Sequence, residues 1–360
     1  MFQPPQGRCQ LSQKQSFPGS DIRVFGQVNG QDVLRIVLRS ETGLCAHVLT
    51  WGAVLQDLRV PLASGACIST TLGFETFDPY PQHSPYFGAT VGRYANRIAG
   101  GRYEMNGRSH WLDRNEAGRT TLHGGAGGFS QRLWQIIAAD AASVTLGLTS
   151  EDGDQGFAGR VEVRCRYSVG PGYRMRVEYR AETDAPTPLN LTQHSYFNLD
   201  GSDDLRHHHL QVYADSYTPT DADNIPTGAI LGVAGTAFDF RSPRKVMGSE
   251  IALDHNFVLA AAEAGRLRPA ARLMSDASGL VLTISTTKPG VQVYDGHKVD
   301  VQPKGLAGRS YGAFAGLCLE PQFFPNSPNC PAFPSSILYP QETYRHLTFY
   351  SFDDGALADM

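Results

Sequence analysis

Apolar and polar positions alternate with a period of two along much of the chain. Val161, Val163, Cys165 and Tyr167 alternate with Glu162, Arg164 and Arg166. After Gly170-Pro171-Gly172, Tyr173, Met175, Val177 and Tyr179 alternate with Arg174, Arg176, Glu178 and Arg180. Successive strand side chains point to opposite faces, so each segment carries one apolar and one charged face. The Gly-Pro-Gly between them predicts a hairpin. The same reading predicts strands at residues 33–38, 46–60, 143–148, 280–286 and 291–294. Turn pairs recur at Asn106-Gly107, Asp152-Gly153, Asp200-Gly201, Pro289-Gly290 and Asp295-Gly296. Many short strands at close spacing suggest a sandwich or barrel. Helical signal is poor. Its best stretch, residues 258–273, is Ala-rich but interrupted by Gly265 and Pro269. There is no fixed-period repeat and no Pro/Ser-rich hinge. The pattern predicts an all-β chain with little helix, one large antiparallel β-sandwich over residues 21–360 after a polar lead-in at residues 1–20.

Composition narrows the function classes. The length of 360 residues allows two domains at about 150 residues each, but large β units exceed that as one domain. Lys and Arg total 31 against 35 Asp and Glu, a net charge of −4. A nucleic-acid binder usually shows a strong basic bias, so that partner is excluded. An apolar content of 41% with 38 glycines supplies a large core and argues against disorder. No apolar run reaches the length of a membrane span, and the N-terminus lacks the apolar stretch of a signal peptide. The expectation is a cytoplasmic protein with no membrane partner. Six cysteines, at 9, 45, 67, 165, 318 and 330, show no CxxC spacing and read as reduced thiols. Cys318 and Cys330 bracket a segment that a bridge between them would close.

Candidate chemistry is scattered. The run His123-Gly124-Gly125-Ala126-Gly127-Gly128-Phe129 lacks the Lys-Ser/Thr of a phosphate loop and precedes no helical pattern. Its glycines suit a loop that lets backbone and the His123 ring approach a ligand closely; a plain turn is equally open. His207, His208 and His209 invite a metal, but no HxxE, HExxH or CxxC completes a shell, and a solvated strand end is the better reading. His194, within Leu189 to Leu199, titrates near neutrality and suits proton transfer; a structural histidine among aromatics is as good a local reading. Glu320 stands in the apolar stretch Gly316 to Phe324, where burial would raise its pKa. A buried Glu paired with an Arg is the competing reading. Asp254, Asn96-Arg97 and Gln292 offer further polar groups near glycines or aromatics. Such groups in a concave site suit a neutral polyhydroxyl ligand.

In order along the chain, these segments resemble the aldose 1-epimerase (galactose mutarotase) family. They are Gly92 to Ile98, Leu122 to Gly125 with Gly128-Phe129 and Trp134, His194 to Leu199, Ala214 to Pro219, Phe238 to Arg241, Asp254 to Phe257, Gly290 to Tyr294, and Leu319 to Gln322. The resemblance implies a β-sandwich of the mutarotase (supersandwich) type and the interconversion of α and β anomers of an aldose. By the family's roles, Glu320 is the general base on the anomeric hydroxyl and His194 the general acid on the ring oxygen. Asn96, Arg97, His123, Asp254 and Gln292 bind hydroxyls, and Tyr196 lines the site. The partner is a monosaccharide; no cofactor and no metal is needed, since the reaction moves two protons only. Monomer and homodimer are equally compatible with the sequence. His194 must be protonated while Glu320 is ionised, so their environments should push the two pKa values apart. Two segments depart from the family pattern. Tyr294-Asp295-Gly296-His297 replaces the usual Thr-Gly-Asn, and Pro325-Asn326 replaces a common Pro-Asp. A hexose-phosphate epimerase, which needs a cationic cluster among Arg93, Arg97, Arg102 and Arg241, is the runner-up. A non-catalytic sugar-binding protein on the same fold is the rival class.

Overall fold

A computed structural model describes residues 17–62, 64–248, 251–261, 263 and 265–353. Most of the polar lead-in at residues 1–20, and Cys9 with it, lies outside the described residues, as do residues 354–360.

The alternating segments form antiparallel sheets. Val161–Gly170 pairs with Arg174–Thr183 in unbroken register from Val161↔Thr183 to Gly170↔Arg174, closed by the Gly-Pro-Gly turn. This hairpin is the centre of a nine-stranded sheet. Its order is Gln135–Ala139, Ser143–Ser150, Val161–Gly170, Arg174–Thr183, Tyr344–Asp353, Val281–Thr286, Arg268–Ser275, His208–Val212 and Arg244–Lys245. A six-stranded sheet runs Tyr196–Phe197, Leu317–Gln322, Gly290–Tyr294, Asp254–Leu259, Ala214–Thr218 and Leu231–Gly232. A five-stranded meander, from Asp21–Val28 to Cys67–Ser69, joins them.

The period of two decides what each face meets. In the hairpin Val161, Val163, Cys165, Tyr167, Met175, Val177, Tyr179 and Ala181 all turn into the main core. There they share one cluster with Phe257, Val291, Val293, Leu317 and Leu319 of the six-stranded sheet. The two large sheets therefore pack face to face through their apolar sides, as in a sandwich. The other face of the six-stranded sheet carries Asn256, Gln292, Cys318, Glu320 and Gln322, and these too are buried.

Several local expectations change. Residues 46–60 are two strands, Cys45–Leu49 and Leu55–Pro61, not one. The chain turns between them at Gly52, at a φ of 61°, where an added Cβ would stand 2.6 Å from the Ser130 carbonyl oxygen. The helical candidate at 258–273 forms strands Asp254–Leu259 and Arg268–Ser275, one in each large sheet. The Ala-rich stretch is the crossing between sheets, tied by Arg268 donating to the Ala260 carbonyl at 2.7 Å. Pro269 sits at a register shift, where its missing N–H is tolerated. The one α-helical turn among the described residues is Tyr80–His83. The three histidines are not a solvated strand end: His208 is fully buried in strand His208–Val212 and accepts the Leu199 N–H at 2.8 Å. His207 is exposed, and His209 lies half-buried beside Asp276. Cys318 and Cys330 are not bridged; Cys45, Cys67 and Cys165 are free as well. Among the described residues, no helix is long and apolar enough to cross a membrane.

Leu282 lies fully buried in the nine-stranded sheet, whereas Leu231 is 47% exposed on a sheet edge. Leu282→Ala should lower unfolding free energy by about 2–5 kcal/mol, and Leu231→Ala by less than about 0.5 kcal/mol. Urea titration followed by tryptophan fluorescence checks both; equal losses would contradict this assignment of the core.

Candidate active site

Strand register explains how residues far apart in sequence meet. Thr218, Asn256, Gln292 and Glu320 stand in one cross-strand row of the six-stranded sheet. Asp254, Tyr294, Cys318 and Tyr196 stand in a neighbouring row on the same face. This face is the floor of a cavity of about 190 Å³. His194 closes it from strand Thr192–His194, which pairs with Ala89–Val91.

A second wall comes from the paired segments Arg97–Ile98 and Thr121–Leu122. The backbones of Asn96 and His123, both at positive φ, hold one another there: His123 N–H donates to the Asn96 carbonyl, and Asn96 N–H donates to His123 Nδ1, each at 3.1 Å. The glycines after His123 serve the protein rather than a ligand. A Cβ on Gly124 would stand 2.1 Å from the Gly92 carbonyl oxygen, so only glycine lets this loop lie against the Gly92-Arg93 backbone.

The cavity is lined by Asn96, Arg97, His123, His194, Tyr196, Asp254 and Glu320 among the residues singled out from the sequence. Gln292 does not line it. Its Nε2 donates to Asp254 Oδ1 at 2.7 Å and so fixes that carboxylate from below. Tyr86, Glu116, Tyr294 and Lys298 also line the cavity and were missed. No local motif marks Tyr86 or Glu116. Tyr294 and Lys298 flank the departing turn, a hint that the turn borders the site.

Charges on the wall are mutually engaged. Arg97 donates Nε and Nη2 to the two carboxylate oxygens of Glu116, each at 2.9 Å, and its Nη1 lies 3.5 Å from Asp254 Oδ2. Burial pushes the Glu116 carboxyl up, but the Arg97 and Thr120 hydrogen bonds prevail and hold it below the usual range.

The reactive pair on the floor has no such support. Glu320 meets a histidine instead of an arginine: His194 Nε2 lies 3.7 Å from its Oε1, and Oε2 has no hydrogen-bond partner. Burial, with the nearby Asp254 charge, raises the Glu320 pKa well above the carboxylate range, against Arg97. Burial lowers His194 to about 4, opposed by its own carbonyl and by Asp254. His123 is lowered well below its ordinary value by burial and by its cationic neighbours. Each group is thus shifted toward its neutral form, the reverse of the order expected from the sequence, because burial outweighs the opposing charges of Asp254 and Arg97. The His194 ring is stacked with Tyr86 at 5.6 Å and Tyr196 at 5.2 Å, both at 29°.

His123, His194 and Glu320 bring their donor atoms within 4.8 Å of one another, as a metal site would. The tautomer of His123 opposes that use. Its Nδ1 accepts the Asn96 N–H, so the neutral ring carries its proton on Nε2. A ligating nitrogen must present a lone pair; this one presents an N–H, suited to an oxygen of a bound molecule. The departing turn is structural as well. Buried Asp295 accepts the Leu253 N–H at 2.9 Å and contacts His297 Nδ1 at 2.7 Å. Asn326 Oδ1 accepts the Ala99 N–H at 3.0 Å and its N–H donates to the Arg97 carbonyl at 2.8 Å, bracing the Arg97 segment.

A two-sheet β-sandwich with a buried histidine–glutamate contact at a polar cavity is the arrangement of the mutarotase fold. The aldose 1-epimerase family profile matches residues 35–351. The chain is 39% identical to the aldose 1-epimerase of Escherichia coli K12 over 337 residues, covering 90% of this chain and 96% of that one. It is 40% identical to the galactose mutarotase of Rattus norvegicus over 341 residues, covering 91% and 97%. The crystal structure of an aldose epimerase homologue from C. elegans superposes with a TM-score of 0.84 at 32% identity, covering 89% of this chain and 99% of that one. The chain belongs to the aldose 1-epimerase family, isomerases that interconvert sugar anomers.

The pH dependence of stability follows from these shifts. His194 and His208 titrate at about 4 in the fold, and His123 and His346 are also lowered by burial. An unfolded histidine takes its proton near 6.5. Between pH 6.5 and 4 the unfolded chain therefore binds more protons than the folded one, and stability falls as pH falls. Glu320 acts with the opposite sign, since its folded form holds a proton that the unfolded form releases, and offsets one histidine. Each remaining histidine contributes up to about 1.4 kcal/mol per pH unit. Urea midpoints at pH 7.5, 6 and 5 should fall in that order; a flat or rising series would contradict the buried neutral histidines.

Proposed function

We propose that the chain interconverts the α and β anomers of a free aldose of the glucose or galactose type, with Glu320 as general base and His194 as general acid. The observation that carries this is the 3.7 Å approach of His194 Nε2 to Glu320 Oε1 on the floor of a polar cavity of about 190 Å³. That volume suits one small ligand, well below the range of drug-sized pockets at about 300 Å³ and more.

In this cycle the proton of the pair starts on Glu320, whose neutral form burial favours. Moving it to His194 creates carboxylate and imidazolium without exchange with solvent. Glu320 then takes the proton of the anomeric hydroxyl, and the O1 electrons form the C1 carbonyl. The C1–O5 bond breaks, its electron pair goes to O5, and His194 Nε2 protonates O5. Rotation about C1–C2 and the reverse steps close the ring on the other face. The nearby ring faces of Tyr86 and Tyr196 favour a cationic His194 ring. Asn96, Arg97, His123 and Asp254 hold the sugar's hydroxyls; Gln292 orients Asp254 from below. Tyr196 lines the site beside the acid.

The arginines available to a phosphate have other partners, which supports a free sugar over a hexose phosphate. Arg93 is buried and donates to the carbonyls of Ser150, Glu151, Ala158 and Gly159. Arg97 is engaged by Glu116, Arg102 by Glu104 and Arg241 by Asp239. Lys298 adds one exposed ammonium at the cavity lip, short of the cluster that a phosphate dianion favours. We also read the protein as cytoplasmic, since five free cysteines among the described residues fit a reducing compartment.

Polarimetry of freshly dissolved α-D-glucose and α-D-galactose is the test. The protein should speed relaxation to an unchanged final rotation. Glu320→Gln and His194→Gln should each lower kcat by about 10²–10⁴-fold. Full activity in Glu320→Gln would remove the base assignment. Acceleration confined to hexose phosphates would replace the substrate.

A further inference from the structure

We propose that Cys318 is a positioning residue: its sulfur accepts the Nδ1–H of His194 and so reserves Nε2 as the nitrogen that exchanges a proton with the sugar. The proposal rests on the reading of His194 as the acid for the ring oxygen.

The geometry is specific. Cys318 Sγ lies 3.6 Å from His194 Nδ1, and both side chains are buried. Cys318 sits in the floor row between Tyr196 and Tyr294, two residues before Glu320 on the same face of the strand. It does not line the cavity, so it acts through the imidazole and not on the substrate.

The direction of the bond follows from donor strength. An imidazole N–H is a stronger donor than a thiol S–H, so the proton shared across this contact belongs to nitrogen and the sulfur accepts it. The thiol keeps its own proton, because burial and the neighbouring Glu320 raise it well above its ordinary value. No thiolate competes with Glu320 for the imidazolium.

The adjacent His123 shows the opposite arrangement. Its Nδ1 meets a backbone donor, which leaves a fixed N–H on Nε2. His194 Nδ1 meets the Cys318 sulfur as acceptor, which leaves a lone pair on Nε2 when the ring is neutral. One histidine therefore only donates into the cavity, while the other gives a proton and takes it back. A neutral His194 protonated on Nε2 would have to become an imidazolate to act as an acid; the Nδ1–H form has only to be protonated.

The experiment is ¹⁵N NMR of the histidine rings in the full-length protein, with His194 assigned by loss of its signals in His194→Gln. At pH 7.5 the wild-type His194 should be neutral with the proton on Nδ1. Cys318→Ser, which keeps an acceptor, should keep this tautomer and most of kcat. Cys318→Ala should shift the population toward Nε2–H. A net hydrogen bond of ordinary strength predicts a fall in kcat of about three- to tenfold with KM unchanged. A wild-type His194 protonated on Nε2, or an unchanged tautomer and kcat in Cys318→Ala, would overturn the proposal. The wild-type spectrum decides this even if an alanine variant fails to fold. It also does so without turnover, whereas absence of mutarotation with every aldose would remove the functional reading instead.

Discussion

The structure turns on one strand that is buried on both faces. Leu317 and Leu319 enter the core between the two large sheets, while Cys318, Glu320 and Gln322 enter a second buried layer. A carboxylate is rarely placed so, because its charge loses hydration on every side. Glu320 is only 2% exposed and faces no arginine at ion-pairing distance among the described residues. The neighbour that answers it is a histidine with the same difficulty. Each is neutral alone, and each stabilises the charged form of the other once the proton moves between them. On the proposed function, burial of the pair is the source of its reactivity.

The wall of the cavity follows the contrary rule. Arg97, Glu116 and Asp254 are charged and satisfy one another, with Gln292, Thr120 and Asn224 filling remaining positions. Fixed charges with engaged partners make rigid hydrogen-bonding surfaces that change little when a ligand enters. In the proposed reaction, proton transfer belongs to Glu320 and His194, and recognition to the hydrogen-bonded groups around them. Arg97 stands on the wall that Asn326 and the glycines hold in place, and Asp254 reaches it from the six-stranded sheet that also carries Glu320.

The strands were legible because their signal is local. The alternation at 161–180 predicts the hairpin and its buried face residue by residue. The helical reading of 258–273 failed because alanine content describes propensity, whereas the chain there crosses between two sheets whose partners lie far away. The histidine run failed on parity: His208, not its neighbours, shares the inward face with Leu210 and Val212. Convergence of the site lay beyond spacing. Asp254, Gln292 and Glu320 meet through cross-strand register that no single segment encodes, and it was likeness to a family, segment by segment, that made them candidates. Tyr86 had no such help, since its role comes from the faces of two histidines contributed by other segments.

Counting protons connects the floor to the reaction. The resting pair, carboxylic acid with neutral imidazole, and the working pair, carboxylate with imidazolium, hold the same number of protons. Their ratio therefore does not change with pH, and a bell-shaped rate profile reports only gain or loss of a proton by the pair as a whole. Their balance responds instead to the electrostatics of the cavity. Anything that stabilises separated charge favours the working form, including the Tyr86 and Tyr196 ring faces, the Cys318 sulfur at Nδ1, and the charge of Arg97. On the proposed function, hydroxyl donors of the sugar are what the unpartnered Glu320 Oε2 would accept, and binding would shift the pair toward the form that acts on it, so that part of the binding free energy is realised as activation of the acid and the base together.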